Sequence, residues 1–458
     1  MIISITKPLF AWDSLEDSPA LRTIRECIRV IPDGGLLASL DNRRGNGRDD
    51  YPVRVLWGVL LIAIITRQQT IEACLGELRR NPSLRLIMGI ESEKGVPNKW
   101  NMSRFLNVLG TEPHLSLLVK VFDDMASMLG SSVPDMGRNL AGDATGLLAR
   151  LAKAEKGKKR RKMGHDLPLA AGARKEYTDE AGKVTHVFEW FGYKLHLMVD
   201  RKHEVALGYR ITSATAADNE TLPEVLEKAE SNLPKGRIRT LAYDKAADDE
   251  NIHEVLKDAK IRPVIQNRSM WKDDLERMLP GHDGKSNVVY DEAGTIYCYD
   301  KVSEPPVRRR MTYMGYEEDR GALKYRCPAR YGGWRCPSDR KCNGDSSFGK
   351  TLRVKCGIDL RRFPPIPRAT KEFERLYKER TSVERVNARL KVFWGADDGN
   401  IAGAKRFHAY MGAVMVVHLA FATLLAKAPR KDEGKGRSAL GKMRLSEIAK
   451  ALEAKIKT

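Results

Sequence analysis

Four side chains near the C-terminal end of the chain have the types that suit phosphate chemistry: Tyr377, Arg380, Glu384 and Lys391. They lie in 371–394, KEFERLYKERTSVERVNARLKVFW, which has no Pro or Gly and is rich in Glu, Lys, Arg, Ala and Leu. That composition predicts one continuous helix. At about 100° per residue, the four side chains fall within roughly 60° of one another. Leu376, Val383 and Leu390 form a separate apolar seam, with Val386 and Phe393 beside it, so the helix can bury one side and present the other. A carboxylate flanked by two cations and a phenol suits a metal-bound phosphate backbone. A solvated, salt-bridged helix face is the competing reading, and from the helix alone it is the commoner one.

Two aspartates upstream have contexts that can join Glu384. In 138–152, RNLAGDATGLLARLA, Asp143 lies among small residues at the start of a strand. Small neighbours leave room for a metal and a phosphate, although an isolated Asp there is more often a turn residue. The segment RIRTLAYD reads as a buried strand ending at Asp244, followed by a helix, DENIHEVLKDA, and a second strand, IRPVIQN. A strand–helix–strand unit of this length implies parallel strands joined by a right-handed crossover. Asp244 then stands at the C-terminal end of its strand, where open α/β sheets bind ligands; a turn or N-cap role is the alternative.

The spacing Tyr-x2-Arg-x3-Glu-x6-Lys resembles the signature of the DDE transposases of bacterial insertion sequences, with all four letters in register. Asp143-x-Thr resembles the first catalytic position of that family, Gly192-Tyr193-Lys194-Leu195-His196 its second strand, and Asp244 its second catalytic Asp. The resemblance implies an RNase H-like core in which Asp143, Asp244 and Glu384 are the catalytic carboxylates and the metal ligands. Three such carboxylates can hold two divalent ions about 4 Å apart, with Mg²⁺ the natural choice and Mn²⁺ a substitute. The resemblance further implies that Arg380 and Lys391 hold phosphates of the terminal DNA and that Tyr377 touches backbone or a displaced base. The partners it implies are double-stranded DNA (terminal inverted repeats and target DNA) and a second copy of the chain in the DNA complex, in the cytoplasm at the bacterial nucleoid. One departure matters. The family commonly continues Lys-Gly-Tyr after the second Asp, whereas here Lys245-Ala246-Ala247 follows, which keeps Asp248 and Asp249 as alternatives.

The positioning elements follow from the rest of the chain. Residues 1–130 read as short helices, including an apolar run at 53–65 and a helix capped by Thr70; this segment resembles the helical N-terminal domain of the same transposases, for DNA binding or dimerisation. Residues 184–215 read as a β-hairpin with its turn at 200–203. Lys194 and His196 share one face of its first strand, facing DNA or solvent. The order of strands and helices through 138–267 and 371–427 is that of an RNase H-like mixed sheet flanked by helices, making the chain α/β. Residues 268–370 are then a β-rich insertion before the last catalytic helix. Within 153–175 the dense basic cluster at 156–162, with Lys158, Lys159, Arg160 and Arg161, reads as a flexible loop or hairpin, contacting phosphate near Asp143 or simply solvated. The tail, 428–458, is basic.

With 458 residues, several domains with real cores are expected. Lys plus Arg is 80 against 60 Asp plus Glu, a net charge of +20, which favours a polyanionic partner such as nucleic acid. No signal peptide is recognisable, and the apolar run 409–426 reads as a buried helix rather than a membrane span. The odd number of cysteines, seven, points to a reducing compartment. Five of them fall in the insertion. Cys327, Cys336 and Cys342 are candidate structural zinc ligands, but their spacing has no Cys-x2-Cys pair, which favours free thiols in a small core. These features together lead to the expectation of a DNA transposase performing metal-dependent cleavage and strand transfer. The alternatives are an RNase H-like nuclease without strand transfer, or a non-catalytic DNA-binding relative.

Overall fold

The computed structural model describes residues 18–45, 51–150, 167–179, 183–273, 276–280, 286–300 and 302–427. The basic cluster at 158–161 and the C-terminal tail lie outside these residues.

Among the described residues, seven α-helices come first: α1 (Pro19–Arg29), α2 (Gly34–Arg44), α3 (Val53–Ile65), α4 (Ile71–Arg80), α5 (Pro82–Leu86), α6 (Lys99–Leu109) and α7 (His114–Ser132). Their starts follow local chemistry. The Thr70 hydroxyl accepts from the Ala73 N–H at 3.0 Å, and Asn98 caps α6 through the N–H groups of Trp100 and Asn101. Helix α3 is apolar on all sides and buried almost throughout.

The main sheet has six strands: β1 (Asn139–Leu148), β2 (Ala171–Thr178), β3 (Val184–Asp200), β4 (Ala206–Ser213), β5 (Thr240–Tyr243) and β6 (Arg262–Ile265). Their order is β2-β3-β1-β5-β6, with β4 also on β3. Strand β3 is antiparallel to β1, β2 and β4, whereas β1, β5 and β6 are parallel. Helix α8 (Asp218–Ser231) links β4 to β5, and α9 (Glu250–Asp258) makes the crossover from β5 to β6. This is the RNase H-like mixed sheet. Residues 171–178, which follow the basic stretch read as a loop or hairpin, form β2. Pairing with the long N-terminal half of β3 supplies the backbone hydrogen bonds that the charged sequence did not advertise.

A second, smaller β region follows. Strands β7 (Arg277–Met278), β8 (Val288–Tyr290), β9 (Ile296–Asp300) and β10 (Val307–Arg310) form one antiparallel sheet. Strands β11 (Thr312–Glu317), β12 (Ala322–Arg326) and β13 (Thr351–Lys355) form another, with the short helices α10 (Pro328–Gly332) and α11 (Asp339–Asn343) between β12 and β13. These sheets share a core of their own, built on residues such as Leu279, Val288, Leu323, Val354 and Phe363.

The chain then returns to the main sheet through α12 (Lys371–Lys378) and α13 (Thr381–Trp394), and ends its described part in α14 (Ala404–Lys427). Helix α14 is long and apolar enough to cross a membrane, yet Phe407 to Leu425 is almost wholly buried inside the protein. It packs on α3, α6 and α7, so the N-terminal helices and the main sheet share one continuous hydrophobic core. The approach to α7 is close: a Cβ on Gly412 would stand 2.6 Å from Leu118 Cδ2.

Candidate active site

Asp143 sits mid-strand on β1, opposite Leu197 of β3. On its other side β1 pairs in parallel with β5, Ala141 beside Ala242. β5 ends at Tyr243, so Asp244 follows directly from the strand beside β1, and its charge acts on Asp143. Gly142 makes the approach feasible, since a Cβ there would lie 2.4 Å from the Tyr243 ring. Asp244 Oδ1 accepts from the Ala246 N–H at 2.9 Å.

Glu384 arrives from α13, and here the expected single helix is corrected. The segment breaks at Glu379–Arg380 into α12 and α13. Through the break the backbone bonds tighten to three-residue spacing: Arg380 to Tyr377, Ser382 to Glu379 and Val383 to Arg380. The Thr381 hydroxyl donates to the Lys378 carbonyl at 3.0 Å, a side-chain substitute for helical bonding that bends or interrupts helices. Two buried charges of the β3–β4 turn hold the bent pair against the sheet. Arg201 donates to the Leu376 carbonyl at 2.8 Å and to Thr240 Oγ1 at 3.1 Å. Glu204 accepts from Arg385 at 2.7 Å and from Arg389. At the far end, Asp397 accepts from the Leu148 N–H and pairs with Lys391, while Asp398 takes both Nη atoms of Arg67. The apolar seam is as expected, with Val383, Val386 and Leu390 buried.

The result is a cluster beside the central strand β1, where β5 ends. Arg380 pairs with Glu384 at 2.6 Å and stands 5.7 Å from the centre of the Tyr377 ring; the Tyr377 hydroxyl donates to Gln266 Oε1 at 2.9 Å. Asn387, one turn on from Glu384, donates to Asp143 Oδ2 at 3.4 Å. Burial raises the Asp143 carboxyl to about 6; Asp244 and Glu384 add to the rise, against the Ala144 N–H and Arg380. Lys391 lies further along, donating to the Gly146 carbonyl at 2.7 Å.

The neighbouring acids are committed elsewhere. Asp248 is buried, with both oxygens filled by Arg361, Arg368, His253 and the Arg268 N–H at 2.9–3.1 Å. Asp249 caps α9. Asp244 is thus the acid of this group that shares a site with Asp143.

Lys194 and His196 are placed differently from the DNA-facing expectation. They pair across to Gly146 and Ala144, out of step with Asp143 and therefore on the opposite face of the sheet. His196 is buried and bonded to Thr212 Oγ1 at 2.9 Å, so it is not available to DNA; Lys194 is tied to the Ala216 carbonyl and to Asp218. Helix α8, which covers that face, is the reason.

Among the described residues, no group of three or more His, Cys, Asp or Glu side chains is positioned to hold a metal ion; Glu384 is turned to Arg380. The donor chemistry nevertheless suits a hard divalent ion: carboxylate oxygens, plus the buried Asn387 Oδ1, which has no hydrogen-bond partner among the described residues. Asn387 was not singled out from the sequence, although its position three residues after Glu384 puts both on one side of the helix.

A family profile described as a transposase DDE domain matches residues 142–420, more than half of the chain. The chain belongs to the DDE transposase family. A second profile, described simply as a transposase domain, matches residues 14–107, within the N-terminal helices. Among solved structures the chain is similar to a piggyBac transposase synaptic complex with hairpin DNA, at 10% identity and a TM-score of 0.39, over 96% of this chain and 82% of that one. No match is found among curated proteins.

Proposed function

We propose that this DDE transposase binds the terminal inverted repeats of an insertion sequence, cuts the DNA there and joins the freed ends to target DNA. The observation that carries the reading is Asp143 on β1 with Asp244 directly after the adjacent parallel strand β5 and Glu384 on α13, close enough that the charges of Asp244 and Glu384 both act on Asp143. In this reading the three carboxylates hold Mg²⁺ or Mn²⁺. Bound there, such ions supply Lewis-acid stabilisation of the phosphodiester oxygens and acidify the attacking water or 3′-hydroxyl.

The side chains around the acids have their own tasks. Arg380 balances Glu384 and Asp143 and is placed to take a phosphate of the terminal DNA. Lys391 offers a second phosphate contact along β1, and Tyr377 a surface for backbone or an unstacked base. Asn387 orients the Asp143 carboxylate. In cleavage, the attacking oxygen bonds to phosphorus as the bond to the 3′-oxygen breaks, and that oxygen leaves as a hydroxyl. In joining, that 3′-hydroxyl attacks a target phosphodiester, and the new bond to phosphorus forms as the target's own bond to its 3′-oxygen breaks, which leaves as a hydroxyl. Two ends must be processed together, so the acting form is a dimer on DNA, in the cytoplasm.

The test is strand cleavage and joining on a duplex carrying the element's end, with Mg²⁺ or Mn²⁺, comparing wild type with Glu384→Gln. Cleavage and joining that both vanish in the variant support the reading. Cleavage without joining would replace it with a nuclease. Binding without cleavage in either protein would point to a non-catalytic DNA-binding protein.

A further inference from the structure

In the second β region, four of the seven cysteines meet. Cys298 lies on β9 of one small sheet. Cys327 follows β12 of the other, Cys336 lies between α10 and α11, and Cys342 is in α11. All four line a single cavity of about 30 Å³, room for about one water or one ion. They are close enough that Cys298 feels the charge of each of the other three sulfurs, and Cys336 that of Cys327 and Cys342. None of them is in a disulfide. The remaining cysteines are unlike them: Cys27, Cys74 and Cys356 are buried thiols in hydrophobic surroundings and do not line the cavity.

Donors face the sulfurs, and the two acids that also line the cavity are engaged elsewhere, Asp300 by the Ser303 and Ser338 hydroxyls and Asp339 by Arg330. Asn287 Nδ2 donates to Cys342 Sγ and Asn343 Nδ2 to Cys327 Sγ, each at 3.6 Å. Burial and the neighbouring sulfurs raise the Cys298 and Cys336 thiols, and the Lys350 charge on Cys298 and the Ser338 N–H on Cys336 oppose that rise. The two amides are themselves oriented by one residue. Lys350 Nζ donates to Asn287 Oδ1 at 3.2 Å and Lys350 N to Asn343 Oδ1 at 2.6 Å, which turns both NH₂ groups toward sulfur. A shell of N–H donors and a nearby ammonium suits thiolates, and this is the outer arrangement that metal-bound cysteines require.

We propose that Cys298, Cys327, Cys336 and Cys342 form a structural tetrathiolate site for one zinc ion. Such a site would tie β9 of one small sheet to β12 and the two short helices of the other, around a core with few fully buried residues. Of the charged groups that line the cavity, Lys350 and Arg309 favour thiolates, while Asp300 and Asp339 are taken up by Ser303, Ser338 and Arg330. Among the described residues no trio of ligand side chains is yet drawn up to a common point. The sulfurs therefore close on the ion, to about 2.3 Å, by side-chain rotation within the cavity they share.

The experiment is metal analysis of the full chain purified under reducing conditions without chelator, with zinc release by a mercurial thiol reagent and cobalt substitution as second readouts. The expected result is one zinc per chain, released as thiols are blocked, with the thiolate-to-cobalt charge-transfer bands of a tetrahedral sulfur site. Cys298→Ser and Cys336→Ser lose the zinc, and Cys356→Ser keeps it. Asn343→Ala, which keeps all four ligands, weakens zinc binding about 10–100-fold. The proposal is overturned by wild-type protein that neither retains zinc nor takes it up on reconstitution. It is equally overturned by zinc that persists in both cysteine variants, or by iron with acid-labile sulfide in its place.

Discussion

Asp143 and Asp248 are acids of the same sheet region with opposite electrostatic fates. Asp248 is buried, which alone would raise its carboxyl, but His253, Arg361, Arg368 and the Arg268 N–H outweigh burial and hold it well below the usual carboxylate range. Through these bonds it pins the chain returning from the second β region, around Arg361 and Arg368, to the end of β6. Asp143 is raised to about 6, by burial first and then by Asp244 and Glu384. One acid has all the positive partners it can use, whereas the other is crowded by like charges with only partial compensation. A saturated carboxylate stabilises a fold, and an under-compensated one is held in place at a cost. The difference marks the first as an anchor and the second as a functional group.

The comparison can be broken most sharply at Asp143. Asp143→Asn should lower cleavage by about 10²–10³-fold or more, the scale of losing a group that acts on developing charge. Its melting temperature should stay level or rise, because a poorly compensated buried charge is gone. A marked drop in melting temperature would make Asp143 a second anchor.

Asp248→Asn should do the reverse. Removing one partner of a buried ionic network leaves Arg361 and Arg368 uncompensated, at about 3–5 kcal/mol, read from the shift in the denaturant midpoint. The protein that remains folded should keep its intrinsic cleavage rate. A midpoint shift no larger than that of a surface substitution would remove the distinction between the two acids.

A buried base extends the comparison to pH. His418 accepts the Ala206 N–H on Nε2 at 3.0 Å, and burial, with Arg389 nearby, lowers its pKa from 6.5 to about 3. Between those values the unfolded chain binds the proton and the folded chain does not. The stability His418 contributes is therefore present above pH 6.5 and lost as pH falls toward 3. Denaturant midpoints across that range should decline, less steeply in His418→Gln; identical slopes would show that His418 is not held neutral.

The smallest effect is expected at Lys391, which is half-buried and already bonded to Gly146 and Asp397. Lys391→Ala should weaken binding to the element's end similarly across sequences and reduce the logarithmic salt slope by about 1. An unchanged slope would assign Lys391 to holding the loop after α13 rather than to phosphate.

Much of this was legible in the chain because it depends on local pattern. The alternation in 184–215 specified the β3–β4 hairpin, the Thr70 cap the start of α4, and the strand–helix–strand period the parallel pair β5 and β6 with Asp244 at its end. The seam of Val383, Val386 and Leu390 located the buried side of α13 even though the helix is interrupted before it. The interruption was not legible, because it rests on the Thr381 hydroxyl together with Arg201 and Glu204 far away in sequence.

Composition and periodicity determined the α/β class, the apolar cores and the residue types available for chemistry. The tertiary structure alone decided which of those residues are neighbours. It put His196 under α8, filled Asp248 with cations, and added Asn387 to Asp143. It also brought Cys298 to three cysteines of the segment between β12 and β13. Spacing along the chain reports only contacts within one helix or one strand, whereas the charge and hydrogen bonds that set a buried group's state come from whichever elements pack against it.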